Sequence, residues 1–478
     1  MAKICVIGAG FAGHTAALYL GDKLGRNHEV TVINRGENFV YIPSLVWVGI
    51  DRMDVEKTQF DLEGVYKKFN VKFIAGKATE VHPDGQYVVA EPNGASESVQ
   101  IEYDYLLIAT GPKLDFEATP GLGPKVGNTW SICSPPHAVE ARDHYLESVE
   151  RMLKGEKQRI VIGTGHGAAT CQGAALEYIT NVHKDLLRRG VRDKCDLTYL
   201  SNEPALGDFG IRGLSIPIKG KMTSAAEFIG AVYKDYGINP MVGRGVTGVD
   251  ENVINWEDMQ GGSGETGYDF SMLIPRFLGQ PMKYIGADGE DVADKVVNPA
   301  NGMVTVDGIY GLKYDELEKN PDAWPAVYQN PNYPNIFAAG IAFAPPGPIS
   351  KPFMNPNGVP MSPAPPRTGM VSGIIGRVVA LNIVDLVKTG RMTHSERMTE
   401  MAAACIASMG DSLWDGSAAV IMIYPVVPDT RKYPNEQGRD QFVTHMEMGL
   451  AGAWMKRMIH VTFMHKLQGR IGWKIIPE

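Results

Sequence analysis

The chain is poor in cysteine and lacks an excess of positive charge. Its 478 residues include five cysteines, Cys5, Cys133, Cys171, Cys195 and Cys405, which are scattered and form no CxxC pair. This excludes a disulfide framework and a zinc ribbon. The formal net charge is -8, and no basic stripe with interleaved aromatic residues is present. We therefore expect no nucleic-acid partner.

The sequence also has no recognisable export signal and no uninterrupted apolar run long enough to cross a bilayer. It opens directly on a strand-like segment, residues 3–7, without the charged, apolar and small-residue succession of a Sec signal peptide. We therefore expect a protein of the cytoplasmic face. The length and a hydrophobic content of 44% are typical of a globular protein with two or three domains.

The sequence does contain two glycine-rich turns, each after an apolar strand and before an alanine-rich helix. The first turn, residues 8–13 (GAGFAG), is a full dinucleotide fingerprint. Gly8 permits the tight turn, Gly10 admits a pyrophosphate, and Gly13 lets the helix pack closely on the strand. The following strand, residues 29–33, ends at Asn34, where an acid usually binds the ribose and where an amide can bond the same hydroxyls. This turn predicts a nucleotide site.

The second turn, residues 163–167 (GTGHG), follows a strand at residues 159–162 but is incomplete. The strand expected after it, residues 196–200, lies unusually far along the chain and ends in Ser201 and Asn202 instead of an acid. A tight NADH site normally offers a ribose acceptor at that point. We therefore interpret the second turn as a structural turn that covers a flavin.

The strand and helix signals predict an α/β fold with two Rossmann-like dinucleotide-binding domains and a C-terminal membrane-association region. We assign residues 1–111 and 301–392 to a discontinuous FAD-binding domain, residues 112–300 to the second Rossmann-like domain, and residues 393–478 to the C-terminal region. In that last region we expect a helical stretch to Ala407 and an apolar strand at residues 418–423.

Two adjacent segments of the FAD-binding domain are expected to reach its ligand. Residues 345–366 are too dense in proline for a helix or a central strand, so they predict an ordered loop lining a pocket. A long helix is predicted from Arg367 through Val387, and its N-terminus could stabilise negative charge on a reduced flavin.

Taken in order, these motifs resemble the sulfide:quinone oxidoreductase family, with flavocytochrome c sulfide dehydrogenases and type II NADH dehydrogenases as more distant relatives. The likeness runs nearly from end to end. Its parts are the first glycine turn, residues 41–44 (YIPS) and 109–112 (ATGP), Cys133 with His137, Cys171, residues 201–204 (SNEP) and 272–275 (MLIP), the proline-rich loop, residues 367–369 (RTG) and 405–410 (CIASMG).

The resemblance implies that sulfide is oxidised to polysulfide or sulfur at one face of FAD by redox-active cysteines, with a cysteine persulfide intermediate and quinone as electron acceptor. Cys171, at the start of the helix after the second turn, is the first candidate, because a helix dipole lowers a thiol pKa. Cys133 is the second candidate. His137 could handle protons or cap the next helix, and Asp208 could replace a histidine or be an ordinary loop residue.

One departure from the family is a missing third cysteine. Members commonly carry one between the third flavin signal and the Thr-Gly helix, where this chain has none. Either Cys171 works with Cys133, or the sulfur product differs, or sulfide activity is lost. Cys405 falls in a motif that we interpret as structural. The alternative functions are an NADH:quinone oxidoreductase and a flavin subunit that passes electrons to a protein partner.

The resemblance also implies contacts for flavin, quinone and membrane. We expect quinone at Phe343, Phe353 and Met354. Residues 454–474 alternate apolar and basic side chains, which favours an amphipathic segment on an anionic membrane. We also expect a homo-oligomer and no metal. The residues expected to contact the flavin are Gly8, Gly10, Ala12, Gly13, Asn34, Arg35, Ser44, Ala78, Ala109, Thr110, Gly111, Gly340, Ile341, Arg367, Thr368 and Gly369.

Overall fold

The computed structural model describes residues 1–218, 221–410, 414, 416–434 and 436–478. Its helices are α1 Phe11–Leu24, α2 Leu45–Val48, α3 Leu62–Lys68, α4 Pro135–Leu153, α5 Gln172–Arg188, α6 Ala225–Tyr236, α7 Ala293–Val296, α8 Tyr314–Leu317, α9 Gly369–Thr389 and α10 Leu450–Leu467. Its strands are β1 Lys3–Ile7, β2 Glu29–Asn34, β3 Asn38–Val40, β4 Gln59–Asp61, β5 Val71–His82, β6 Tyr87–Pro92, β7 Val99–Glu102, β8 Tyr105–Ile108, β9 Lys113–Asp115, β10 Gln158–Thr164, β11 Cys195–Leu200, β12 Ser215–Ile218, β13 Lys221–Ser224, β14 Ile238–Met241, β15 Arg244–Asp250, β16 Val253–Asp258, β17 Ser263–Gly267, β18 Phe270–Ile274, β19 Arg276–Leu278, β20 Lys283–Tyr284, β21 Ile336–Ala338, β22 Ala403–Met409, β23 Ser417–Ile423 and β24 His445–Gly449.

The first sheet has the order β21-β8-β1-β2-β5-β6-β7, with β20 paired to β5. From β21 to β5 the strands run parallel and are apolar, whereas β5, β6 and β7 pair antiparallel. The chain leaves β1 toward β2 on one side and later adds β8 on the other side. The first glycine turn therefore lies at the carboxyl end of the strand where the order reverses, which is the usual ligand position in such sheets.

The second sheet, β14-β11-β10-β18, is parallel throughout. The second glycine turn follows its central strand β10. A two-stranded sheet of β9 and β19 forms where the chain enters and leaves this part of the molecule. The predicted α/β class with two nucleotide-binding-type sheets is confirmed, while the domain boundaries stay predictions.

Helix α9 crosses α1 at close range because small residues line both helices. A Cβ at Gly376 would collide with the carbonyl oxygen of Ala12, and the Phe11 ring lies 3.1 Å from the position that a Cβ of Gly369 would take. The N-termini of the two helices therefore converge beside the first glycine turn. Helix α9 is long and apolar enough to span a membrane, but two thirds of that stretch is buried, as expected for a core helix.

The C-terminal region differs from its prediction in one element. Residues 403–409 form strand β22 instead of a helix, and β22 pairs antiparallel with the correctly predicted strand β23. The prediction of a helix failed because this apolar and small-residue run carries no period that separates a short buried strand from a helix. The sheet β22-β23-β24 packs on α5 and α10.

Candidate active site

The first glycine turn has the shape of a phosphate cradle. Gly8 adopts φ +99°, and its N–H donates to the carbonyl oxygen of Ile33 over 2.8 Å. A Cβ at Gly8 would strike the carbonyl oxygen of Ala109, and one at Gly13 would strike the carbonyl oxygen of Gly8. By contrast, no atom lies within 4 Å of the Cβ position at Gly10. The turn thus leaves one open face, toward the amino end of α1.

The side chains at the tip of β2 stabilise this turn. The Oδ1 of Asn34 accepts from the backbone N–H of Ala9 over 2.9 Å, and its Nδ2 donates to the carbonyl oxygen of Gly36 over 2.8 Å. Arg35 donates to Gln280 over 3.0 Å. Asn34 therefore anchors the turn, and a ribose contact from Asn34 or Arg35 stays a prediction.

Five further residues that we predicted to contact the flavin lie in two groups. Ala109, Thr110 and Gly111 follow β8, and Gly340 with Ile341 follows β21, so both groups lie at the carboxyl edge of the first sheet beside the glycine turn. Ala78 is buried inside β5 next to a β-bulge.

The start of helix α9 combines positive charge with unpaired polar atoms. Arg367 is buried, donates to the carbonyl oxygen of Phe343, and lies over the Phe343 ring at 5.1 Å. Burial lowers the pKa of Arg367 to about 10. Within the described residues it has no acidic partner, and the Nε of Arg367 and the Oγ1 of Thr368 are buried without a hydrogen bond. A buried cation at a helix N-terminus fits a ligand that carries negative charge, such as a flavin.

The second glycine turn is closed by the chain itself. The side chain of Leu122 occupies the Cβ position of Gly165, and the carbonyl oxygen of Pro360 lies against Gly167. Ser362 donates its N–H to the carbonyl oxygen of Gly167 over 2.8 Å, and the Nδ2 of Asn202 donates to the same oxygen over 2.9 Å. No open face comparable to that of Gly10 remains here, so this turn is a scaffold, as its missing ribose acid predicted.

The proline-rich loop is the element that closes this turn. The loop contains neither helix nor strand, as predicted. Its partners lie outside the first sheet: Thr170, just before α5, donates its hydroxyl to the carbonyl oxygen of Ala364 over 3.0 Å, and Asn355 donates to Glu257 of β16 over 2.7 Å. The loop is therefore an ordered bridge between the two halves of the molecule.

Three cysteines retain some solvent exposure, namely Cys133, Cys171 and Cys405, whereas Cys5 and Cys195 are buried. Cys171 precedes α5 in the left-handed conformation, with φ 68°. Burial, as the main cause, and the charges of Cys133 and Cys405 together raise the pKa of Cys171 to about 12, although Arg367 lowers it. The predicted lowering of this pKa by the helix dipole is wrong, because desolvation outweighs the dipole.

Both predicted acid–base residues lie in other surroundings than expected. His137 is in the first turn of α4 but makes no capping hydrogen bond, and its ring contacts Phe116 at 5.9 Å. Burial lowers its pKa. Asp208 is buried and accepts hydrogen bonds from the Ser350 hydroxyl and the Gly210 N–H. Asp208 is therefore a loop residue, one of its two predicted roles, and its carboxylate anchors the start of the proline-rich loop; a role as acid or base stays a prediction.

The three predicted quinone contacts differ in exposure. Phe343 is fully buried, between the ring of Tyr328 and the guanidinium of Arg367. It is a core residue and presents no surface to a quinone, which corrects the prediction for this position. Phe353 is half-buried and Met354 is exposed, so a quinone contact at these two stays a prediction.

Helix α10 carries two of its lysines inward and several of its apolar residues outward. Lys456 forms a buried ion pair with Glu177, and Lys466 forms another with Glu478, with 2.9 and 3.0 Å between the charged atoms. The predicted basic membrane face is thus wrong for these two lysines. The exposed apolar residues of this region, which we call the tail surface, are Trp454, Met455, Met458, Val461, Ile471 and Ile475.

The same helix also reaches the YIPS segment. The Oγ of Ser44 lies 2.8 Å from the Nδ1 of His460, and the ring of Tyr41 contacts that of His460 at 5.4 Å. Glu177, Lys456, His460 and Cys405 were not singled out from the sequence as site residues. Lys456 and His460 are four residues apart and therefore share a face of α10, a spacing that the sequence already contained.

Comparisons with known proteins agree with this arrangement. A family model described as pyridine nucleotide-disulphide oxidoreductase matches residues 2–274. A sulfide-quinone reductase of Aquifex aeolicus is 29% identical over 92% of this chain and 87% of its own length. The X-ray structure of the Aquifex aeolicus sulfide:quinone oxidoreductase covers 98% of this chain and 92% of its own, with a TM-score of 0.78 and 28% identity. The Plasmodium falciparum NDH2 structure with NADH has a TM-score of 0.64 at 12% identity, over 99% of this chain and 97% of its own, which shows the fold alone. The predicted resemblance is confirmed.

Proposed function

Because this chain belongs to the pyridine nucleotide-disulphide oxidoreductase family, we propose that it is an FAD-dependent sulfide:quinone oxidoreductase. The observation that carries the proposal is a pair of helix N-termini, those of α5 and α9, that both contact strand β22. One bears the redox candidate Cys171, and the other bears the buried cation Arg367, which lowers the pKa of that thiol. The Aquifex relative adds the likeness in sequence over most of the chain.

In this proposal Gly10 and the amino end of α1 would hold the pyrophosphate of FAD, and the residues of the RTG motif would hold its flavin ring. When bound, FAD accepts two electrons from the sulfur chemistry and delivers them to a quinone. Arg367 and the free N–H groups of α9 favour negative charge next to it. The unpaired Oγ1 of Thr368 offers a further hydrogen bond.

The thiols supply the sulfur chemistry. Cys171 and Cys133 are both free thiols in the structure; in the oxidised enzyme they would form a disulfide, with the two electrons passing to FAD. Hydrosulfide attacks one sulfur of that disulfide and the S–S bond breaks, which leaves a persulfide on the attacked cysteine and a thiolate on the other. Since burial raises the pKa of both thiols, neither is ionised without a partner, and the Arg367 guanidinium stabilises the Cys171 thiolate. His137 follows Cys133 closely in the sequence, and burial lowers its pKa. We propose that it accepts the proton released by the thiols.

We also propose peripheral attachment to the membrane through the tail surface, from which a quinone enters. Met458 and Val461 lie on one face of α10 and are 59% and 65% exposed, while the opposite face holds Lys456. An exposed apolar face on a helix whose charged face is buried is typical of a surface that binds a membrane. Homo-oligomer formation and attachment at the cytoplasmic face remain expectations.

The NADH alternative is disfavoured by the closed second glycine turn. Leu122 and Pro360 occupy the space above Gly165 and Gly167 that a pyrophosphate would need, so NADH could bind there only after the proline-rich loop moves. Electron transfer to a protein partner has no observation in its favour.

The deciding experiment is anaerobic reduction of the bound flavin by sulfide. We expect rapid bleaching in the wild type and loss of bleaching in Cys171→Ser and Cys133→Ser. Cys195→Ser is the matched control, because that thiol is buried in β11 away from the site. Bleaching by NADH but not by sulfide, or normal bleaching in both active-site variants, would refute the proposal.

A further inference from the structure

Cys405 is a third cysteine with partial exposure, and it lies against the start of α5, the helix that follows Cys171, although it belongs to the C-terminal region of the sequence. The five cysteines separate by exposure: Cys5 and Cys195 are 0% and 6% exposed, whereas Cys405 is half-buried like Cys171 and Cys133. A cysteine that serves only as a small core residue is usually fully buried. Cys405 therefore differs from the two structural cysteines of this chain.

The position of Cys405 follows from how β22 packs on two helix N-termini. Its Sγ lies 3.6 Å from the position that a Cβ of Gly173 would take, and Gly173 is in the first turn of α5, next to Cys171. On the other side, the N–H of Ala404 donates to the Sδ of Met370 over 3.3 Å, and Met370 is in the first turn of α9. Cys405 thus lies between the helix starts that carry Cys171 and Arg367.

The charges around the two thiols differ. Burial is the main reason that the pKa of Cys171 is raised, the charges of Cys133 and Cys405 also raise it, and Arg367 lowers it. Burial and the Glu177 carboxylate raise the pKa of Cys405 to about 11, and Lys456 opposes this rise. Arg367 therefore makes a transient Cys171 thiolate less costly, whereas Lys456 is ion-paired with Glu177.

We propose that Cys405 accepts sulfane sulfur from a persulfide on Cys171 and so takes the place of the third cysteine that the family resemblance leads one to expect. The proposal rests on the proposed function, because it assumes that Cys171 carries the persulfide. It adds a second storage position for sulfur, on a strand that the C-terminal region contributes.

The transfer is balanced and involves no net oxidation. The Cys405 thiolate attacks the outer sulfur of the Cys171 persulfide, a new S–S bond forms to Cys405, and the bond between the Cys171 Sγ and the outer sulfur breaks. The electron pair of that bond stays on Cys171, which leaves as a thiolate. The proton that Cys405 lost neutralises Cys171, and the hydrogen of the outer sulfur moves with that sulfur.

The test maps persulfides on the intact, flavin-loaded protein without using sulfide oxidation. The reduced protein receives about one equivalent of inorganic polysulfide, is quenched with an alkylating reagent, and is digested for mass spectrometry. In the wild type we expect the mass of one added sulfur on the Cys171 and Cys405 peptides and none on that of Cys195. In Cys171→Ser the label on Cys405 should fall about tenfold, since polysulfide would have to reach Cys405 without the relay.

Three results would overturn the proposal: label on Cys171 alone, label on neither thiol, or equal labelling of Cys405 in the wild type and the variant. Should Cys171→Ser fold poorly, Cys171→Ala with a normal flavin content serves instead. Because polysulfide loads Cys171 without electron transfer, a failure of sulfur transfer is distinguishable from a failure of sulfide to bleach the flavin.

Discussion

Lys456 of the C-terminal helix and Glu177 of the helix after Cys171 form an ion pair in which each side chain is only 8% exposed, with 2.9 Å between Nζ and Oε1. Glu177 also accepts hydrogen bonds from the N–H and the hydroxyl of Ser408. One carboxylate therefore connects α5, β22 and α10. The thiol-bearing helix and the tail surface are coupled through this buried charge.

Removing the cation should destabilise the protein more than removing the whole pair. We expect Lys456→Met to lower the free energy of unfolding by about 3 kcal/mol, because it leaves the Glu177 carboxylate buried and unpaired. The double variant Lys456→Met with Glu177→Gln should recover most of that loss. Urea denaturation of both variants measures the difference, and equal losses in the single and double variants would contradict a paired carboxylate.

The first glycine turn can be tested at Gly10, where an added methyl group would meet the bound cofactor but no protein atom. Gly10→Ala adds a methyl group that meets no protein atom within 4 Å, at a residue with φ -75° that alanine adopts freely. We expect unchanged thermal stability of the apoprotein and a flavin affinity reduced about tenfold, since the methyl group blocks the pyrophosphate. Flavin absorbance after dialysis measures this.

The matched control is Gly230→Ala, which adds a methyl group to helix α6 with equally free space around it. This variant should retain its full complement of flavin. Normal flavin content in Gly10→Ala would place the cofactor elsewhere.

The tail surface should determine binding to lipid and not the sulfur chemistry. Replacing Met458 and Val461 with Asp adds two charges to an exposed apolar face, so we expect vesicle binding to weaken about tenfold or more. Flotation with vesicles containing anionic lipid measures it. Leu153→Asp, an exposed apolar site at the end of α4, is the control and should bind as the wild type does. Equal binding by all three proteins would rule out this surface.

A buried carboxyl under the second glycine turn should make stability depend on pH. Burial raises the pKa of Glu203 from 4.5 to about 7, although it accepts hydrogen bonds from Tyr199, Ser201 and Phe209. Between these two values the folded protein binds more protons than the unfolded chain. The stabilising contribution of the neutral carboxyl is therefore complete below the unfolded pKa and is lost as the pH rises toward 7.

We expect Glu203→Gln to remove this part of the pH dependence. The variant should gain about 2 kcal/mol relative to the wild type between pH 5 and pH 8, because its neutral amide has nothing to ionise and the neighbouring hydroxyls can turn to accept its protons. Urea denaturation at several pH values tests the sign. If the free energy of unfolding of the wild type instead changes with pH in parallel with that of the variant, Glu203 is already ionised in the folded protein at pH 5.

The local sequence was sufficient for features whose causes are local. The strand, turn and helix of the first nucleotide unit follow from apolar periodicity and from glycines at positions where a Cβ would collide with the carbonyl oxygens of Ala109 or Gly8. The absence of an acid after β11 predicted that the second turn is structural, whereas its closure by Leu122 and Pro360 depends on distant segments. The proline density of residues 345–366 likewise excluded regular structure.

Other features depend on contacts between distant segments, and no local pattern reports them. The helix start at Cys171 predicted a lowered thiol pKa, but burial and the charges of Cys133 and Cys405 raise the pKa instead. The lysines of α10 looked like a basic surface until folding paired Lys456 with Glu177. The sequence identified the thiols and the charged residues, but only tertiary packing decided which of them lie close together. Burial and electrostatic coupling depend on distances between segments that are far apart in the chain.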